Sequence, residues 1–218
     1  MFGGVGTPLT HLLGGGMNAP VTDADFDRLE AFFKTRGSPC LIDLCPLADP
    51  SVIDQLCKRG YRVIEFNNLL ARVVDDEILP PHPGVEILKV QPAEALEFTR
   101  LISRGFSPVD EVDESLVDAL SEMSVLGHSF VALVDGMWAG GATAGLEDGT
   151  GLFYGDATLS AWRGRGIQSA LIHHRLQFLR ECGADLAMVT VLPGTASHRN
   201  YERAGFRLIY MRVNVSSS

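Results

Sequence analysis

Apolar residues recur along this chain at two periods, and each change of period marks an element. Helical spacing covers Asp23 to Lys34 and Pro50 to Lys58, with strand-like runs at Cys40 to Leu44 and Tyr61 to Leu70. The run Leu79-Pro80-Pro81-His82-Pro83 suits neither helix nor central strand and reads as an extended connector. It divides the chain into a region 1–80 and a region 84–218. In the second region VEILKV (Val85 to Val90) predicts a strand. AEALEFTRLISRGF (Ala93 to Phe106) predicts a helix stopping near Gly105, and Glu114 to Met123 a second helix. His128 to Leu159 predicts an antiparallel meander of two or three strands, with turns at Asp135-Gly136 and Glu147 to Gly149. Ser169 to Cys182 returns to helical spacing with Gly183 as its stop, and ADLAMVTVL reads as a buried strand. SHRNYERAGF gives a short helix ending at Gly205, FRLIYMRVNV a last strand, and Ser216 to Ser218 a frayed tail.

The first region repeats the order helix, strand, helix, strand that ends the chain. DRLEAFFKTRGSPCLIDLCPLADPSVIDQLCKRGYRVIEF lies beside HRLQFLRECGADLAMVTVLPGTASHRNYERAGFRLIYM with RL, G, P, G, R and I in register after small gaps, which reads as an internal duplication. Gly3, Gly4, Gly6 and Gly14 to Gly16 follow no strand and open no helix, so they read as a flexible segment.

Composition narrows the function classes. With 218 residues and 46% hydrophobic content the chain can bury a core, and no apolar run reaches the roughly 20 residues of a membrane-spanning helix. No basic stretch precedes the apolar residues of the N-terminus, and a cytoplasmic location is the expectation. A formal charge of −9 argues against a nucleic-acid partner and suits an amine-bearing one. Cys40, Cys45, Cys57 and Cys182 lack metal-ligand spacing and read as reduced residues, so no metal is expected.

The chemistry concentrates in DATLSAWRGRGIQSALIHHRL, where a strand meets a Gly- and Arg-rich loop that runs straight into a helix. Gly164 and Gly166 lack a Cβ, so backbone N–H groups from Arg165 through Gly166, Ile167 and Gln168 to Ser169 can approach a ligand at a helix N-terminus. Such a place suits a pyrophosphate, to which Arg163 and Arg165 can add charge-assisted bonds. A turn of this kind also serves tight packing alone, and the residues leave both readings open. Neither a G-x-G-x-x-G dinucleotide loop nor the G-K-[ST] of a triphosphate loop is present.

From Val85 to the C-terminus, the order of elements and two motifs resemble the GNAT superfamily of N-acetyltransferases. Arg163-Gly164-Arg165-Gly166-Ile167-Gln168 is similar to that family's [QR]-x-x-G-x-[GA] pyrophosphate loop, with Gln168 replacing the final small residue. Asn200-Tyr201-Glu202-Arg203-Ala204-Gly205-Phe206 resembles its Y-x-x-x-G-F. The resemblance implies a mixed α/β GNAT fold whose mostly antiparallel sheet is flanked by helices. Region 84–218 would be the catalytic domain and region 1–80 a partial, degenerate copy.

The resemblance also implies an N-acyltransferase that moves an acetyl group from acetyl-coenzyme A to an amine on a small molecule or peptide, by direct transfer in a ternary complex. The strand ending Asp156-Ala157-Thr158-Leu159 would splay from its neighbour. Ala157 and Leu159 would offer backbone groups to the pantetheine arm, and Thr158 an N–H to the carbonyl oxygen. Tyr201 would be the general acid, Asp156 the nearest acidic candidate for the base, and Asn200 a cofactor contact. His173 and His174 read as surface or packing residues, Trp162 as packing against the loop, and Ser197 as a helix cap. A homodimer through sheet-edge pairing suits such domains. A non-catalytic acyl-coenzyme A sensor or scaffold and a structural protein that retains only the fold are the alternatives.

Overall fold

The computed structural model describes residues 2–7, 9–77, 82–124 and 127–217. In chain order the elements are β1 (Leu12–Leu13), α1 (Asp23–Lys34), β2 (Leu41–Leu44), α2 (Ser51–Lys58), β3 (Arg62–Val73), β4 (Glu86–Lys89), α3 (Ala95–Phe106), α4 (Glu114–Ser124), β5 (His128–Val134), β6 (Met137–Glu147), β7 (Thr150–Thr158), α5 (Ile167–Glu181), β8 (Leu186–Val191), α6 (Ala196–Arg203) and β9 (Arg207–Ser216). The architecture is mixed α/β, as the sequence predicts. Contacts divide it into one compact unit of Met1–Leu69 with Tyr210–Ser218 and a second of Leu70–Ile209. The His82-Pro83 end of the connector lies within the second unit; Leu79 to Pro81 lie outside the described residues.

In the first unit β1 runs parallel to β2, and β2 antiparallel to the Val213–Ser216 end of β9. Phe26 and Phe33 of α1, Val52 and Leu56 of α2, Ile42 and Val215 form its core. Helix α1 starts at a reciprocal cap: Thr22 Oγ1 accepts from the Asp25 N–H, and the Asp25 carboxylate accepts from the Thr22 N–H. The glycine-rich start is a closed turn rather than a flexible segment. The buried Thr10 hydroxyl donates to the Gly4 carbonyl at 2.6 Å and accepts from the Gly3 N–H at 2.9 Å. Of the tail expected to fray, Ser216 and Ser217 are paired as well, and Ser218 lies outside the described residues. Ser216 closes β9, and the Ser217 N–H donates to the Cys40 carbonyl at 3.0 Å.

The second unit orders its strands β8-β7-β6-β5-β4, antiparallel except for the β7–β8 pair. The meander has three strands. Its turns place Asp135 and Asp148 at φ 52° and 46°, each followed by a glycine at positive φ, the backbone a two-residue hairpin favours. One core lies under α5, where Ile167, Leu171, Ile172 and Leu179 meet Phe153, Ala187 and Phe206. Another lies under α3, where Phe98, Leu101 and Ile102 meet Val131, Ala157 and Leu159. Gly105, read as the stop of α3, lies inside it. A Cβ there would fall 2.6 Å from the Ala157 Cβ, so the glycine permits close packing on β7.

Two irregularities of β7 shape the site. Its ladder with β8 ends at Phe153↔Val189, although β7 runs on to Thr158 and β8 to Val191, so the two strands part there. Against β6, Gly141 pairs with Ala157 and Thr143 with Tyr154, which sets Gly155 and Asp156 opposite Ala142 alone. This is a β-bulge, with Gly155 at φ 67°.

Candidate functional site

Where β7 and β8 part, the second unit carries a groove of about 450 Å³. Gly105, Asp156, Ala157, Thr158, Trp162, Arg163, Gly164, Gly166, Ile167, Gln168, Ser169, Ser197 and Asn200 line it, among others. Helix α5 begins at Ile167, two residues before the expected start, so Gly166 is its N-cap, at φ 77°. No side chain caps this end, and the first turn holds no acidic residue. The first main-chain bond of the helix runs from the Ala170 N–H to the Gly166 carbonyl at 2.9 Å, which leaves the Ile167, Gln168 and Ser169 amides ahead of the ladder. A Cβ on Gly164 would meet nothing within 4 Å, whereas one on Gly166 would come within 3.0 Å of His82 Nδ1. Gly166 therefore serves packing and backbone conformation together.

The loop's arginines are braces. Arg163 Nε donates to the Thr158 carbonyl at 3.1 Å and one Nη to the Gly105 carbonyl at 3.2 Å, tying β7 to the end of α3. Arg165 does not line the groove; its guanidinium lies 4.9 Å from the centroid of Trp162. Leu159 does not line it either. Its N–H donates to the Ala139 carbonyl at 3.0 Å and its carbonyl accepts from the Trp162 N–H at 2.9 Å, so the backbone groups expected to meet a ligand are already bonded. Gln168 departs from the small residue of the motif for a visible reason. Its Nε2 donates to Ser197 Oγ at 2.7 Å, and its Oε1 accepts from Asn200 Nδ2 at 2.8 Å, joining the first turn of α5 to α6. Thr195, not Ser197, caps α6 by accepting from the His198 N–H.

Asp156 and Tyr201 meet in one buried cluster with a residue that sequence reasoning missed. Arg175 of α5 is 0% exposed and ion-paired to Asp156, with contacts of 2.5 and 3.0 Å to its two oxygens. Tyr201, also 0% exposed, donates its hydroxyl hydrogen to Asp156 Oδ2 at 2.9 Å and accepts from Arg175 at 3.0 Å. Burial pushes the Tyr201 phenol well above its ordinary range against the pull of Arg175. Burial likewise opposes the Arg175 charge, but Asp156 and Tyr201 together outweigh it and the guanidinium stands above its ordinary value. Asp156, with a side chain 10% exposed, is the member of the cluster that lines the groove. The signal for Arg175 lies in α5 itself: it occupies the apolar stripe of Leu171, Ile172, Leu176 and Leu179.

His174 packs edge-on against Phe130 at 4.8 Å, and burial lowers its pKa; His173 lies 5.1 Å from His82. Among the described residues no group of three or more His, Cys, Asp or Glu could hold a metal ion, and no helix is long and apolar enough to cross a membrane.

Solved structures share this fold. A GCN5-related N-acetyltransferase from Kribbella flavida aligns with a TM-score of 0.70 at 19% identity, over 91% of this chain and 77% of that one. One from Sphaerobacter thermophilus aligns with a TM-score of 0.63 at 18% identity, over 82% and 59%. A tandem GNAT protein from the clavulanic acid biosynthesis pathway gives a TM-score of 0.65 at 15% identity, over 89% and 69%. A search of curated proteins finds no match to this chain. The family model described as "Acetyltransferase (GNAT) family" matches residues 95–206, from α3 to the start of β9 and around the whole groove; the chain belongs to the GNAT acetyltransferases.

Proposed function

We propose that this chain is an N-acyltransferase that moves an acetyl group from acetyl-coenzyme A to an amine by direct transfer in a ternary complex. The observation that carries the reading is the groove itself: a helix N-terminus with no side-chain cap and no acidic residue in its first turn, next to the opening between β7 and β8. These residues fit the cosubstrate. The Ile167, Gln168 and Ser169 amides and the open space over Gly164 suit a pyrophosphate, and the Ala157 backbone and Thr158 N–H beyond the β8 ladder suit the pantetheine amides. Bound acetyl-coenzyme A supplies an activated acetyl thioester. The protein's own part is to orient the partners and manage the proton. Asp156 is the groove-side group that takes the amine's proton and returns it to the departing thiolate, and Tyr201, expected to be the general acid, acts from behind by donating a hydrogen bond to Asp156.

One observation favours the alternative of a non-catalytic acyl-coenzyme A sensor: the Tyr201 hydroxyl faces Asp156 and Arg175, not the groove. Calorimetric titration of coenzyme A into the protein and into a variant with Gly164 and Gly166 both changed to alanine tests the donor site. Thiol release from acetyl-coenzyme A across an amine panel separates enzyme from sensor. Binding that the variant loses, followed by amine-dependent thiol release, is the expected outcome; no binding to the parent overturns the reading.

A further inference from the structure

We propose that Arg175 is a positioning residue for the transfer, locking Asp156 and Tyr201 into a single proton-handling unit whose opening to the groove is Asp156. The inference rests on the acyltransferase reading above. Every N–H of this guanidinium is bonded. Its Nε donates to the Leu171 carbonyl at 3.1 Å. One Nη donates to the Thr143 carbonyl and to Asp156 Oδ2, both at 3.0 Å, and the other to Asp156 Oδ1 at 2.5 Å and Tyr201 Oη at 3.0 Å. Its plane rests 4.2 Å from the centroid of Phe153.

Stability alone is a poor account of this arrangement, because apolar residues of similar volume often serve as well as a buried ion pair. Geometry gives a better one. Two parallel N–H bonds fix the rotation of the Asp156 carboxylate, which a single ammonium would leave free to turn. The Nη bond to Tyr201 occupies the phenol oxygen as an acceptor, so the phenol's one hydrogen goes to Asp156 Oδ2. Tyr201 thus keeps its proton and stays a donor while Asp156 carries the traffic. The amine nitrogen forms a C–N bond to the acetyl carbon, its N–H bond breaks as an O–H bond forms on Asp156, and the C–S bond breaks to release the thiolate. That O–H then breaks as an S–H forms on the departing thiolate, and the carboxylate returns to its starting state. The charged or titratable side chains bonded to Asp156 are Arg175 from α5 and Tyr201 from α6.

The experiment uses the full chain and the best amine from the panel, comparing the parent with Arg175→Met, Arg175→Lys and Tyr201→Phe. Coenzyme A affinity by calorimetry and KM for acetyl-coenzyme A are expected to stay within about threefold in all of them, since none of the changed side chains lines the groove. Expected for Arg175→Met is a fall in kcat of about 100-fold with KM for acetyl-coenzyme A unchanged. Arg175→Lys should recover about tenfold of that loss. Tyr201→Phe, which strands no buried charge, should lower kcat about tenfold. Parental kcat in both Arg175→Lys and Tyr201→Phe overturns the proposal, whether or not Arg175→Met folds. A parent that binds coenzyme A but transfers to no amine overturns the acyltransferase reading, and this inference with it.

Discussion

Helices α1 and α5 hold matching places in the repeated helix, strand, helix, strand order, yet they begin in opposite ways. At α1 the side chains of Thr22 and Asp25 satisfy each other's backbone N–H groups, and Asp23 and Asp25 put negative charge on the first turn. At α5 a glycine in the left-handed region replaces the cap, no side chain bonds the end, and the first turn is Ile-Gln-Ser. A self-capped helix end has few donors to give and repels an anion, while an open one offers amides together with the positive end of the helix dipole. The two helices share a place in the order of elements, and in the proposed function the capacity to hold a phosphate is set by a few residues at one helix end.

The comparison breaks most sharply if α5 is given the α1 ending. Gly166→Asp adds an anion at the open end, forces a side chain into positive φ and crowds His82. Coenzyme A affinity should fall about 100-fold, or about 2.8 kcal/mol, by calorimetry. The converse change, Thr22→Ala, opens α1. It should destabilise the protein by about 1 kcal/mol in denaturant titration and leave coenzyme A affinity unchanged. A smaller effect is expected from Gln168→Ala, which cuts the bonds to Ser197 and Asn200 and so loosens the α5 first turn from α6. A loss of about fivefold in coenzyme A affinity is expected, in line with a neutral hydrogen bond near ~1 kcal/mol.

The smallest effect concerns pH. The Thr22 hydroxyl and N–H, with Arg28, hold the exposed Asp25 carboxyl below its ordinary value. A carboxyl with a depressed folded pKa stabilises above its unfolded pKa, near 3.9, and that contribution is lost as pH falls through the folded value. The protection factors of amides at the start of α1 should therefore fall in acid below about pH 4. Asp25→Asn should flatten that dependence; an unchanged acid response in the variant would count against the cap as its source.

Much of this was legible in the sequence because the signals are local. Helix period, Asp-Gly turns and the glycine loop before α5 are short-range features, and the elements they mark recur within a few residues of their expected bounds. The N-terminal turn was not legible: glycines alone read as freedom, whereas the Thr7 and Thr10 hydroxyls bond back to them. The groove's loop could be read; the destinations of its side chains could not. Arg163 and Arg165 read as phosphate ligands, and no local signal told that Arg163, in the groove lining, also bonds Gly105 and Thr158 or that Arg165 lies beside Trp162. Arg175 depends on partners 19 and 26 positions away, and nothing in its neighbours along the helix names them.

The bulge in β7 has a consequence for how this chain can change. Phe153 belongs to the core under α5, so strict alternation would send Asp156 to the other face and Ala157 back to the α5 side. The extra residue reverses both: Asp156 reaches Arg175, and Ala157 joins the core under α3. Because Gly155 and Asp156 share Ala142 as their partner, loss of Gly155 would set Asp156 opposite Ala142 in a regular ladder, still on the α5 face, and would straighten β7 there. One residue can therefore leave this part of the strand without turning the carboxylate from Arg175, whereas a substitution of Asp156 itself removes the pair.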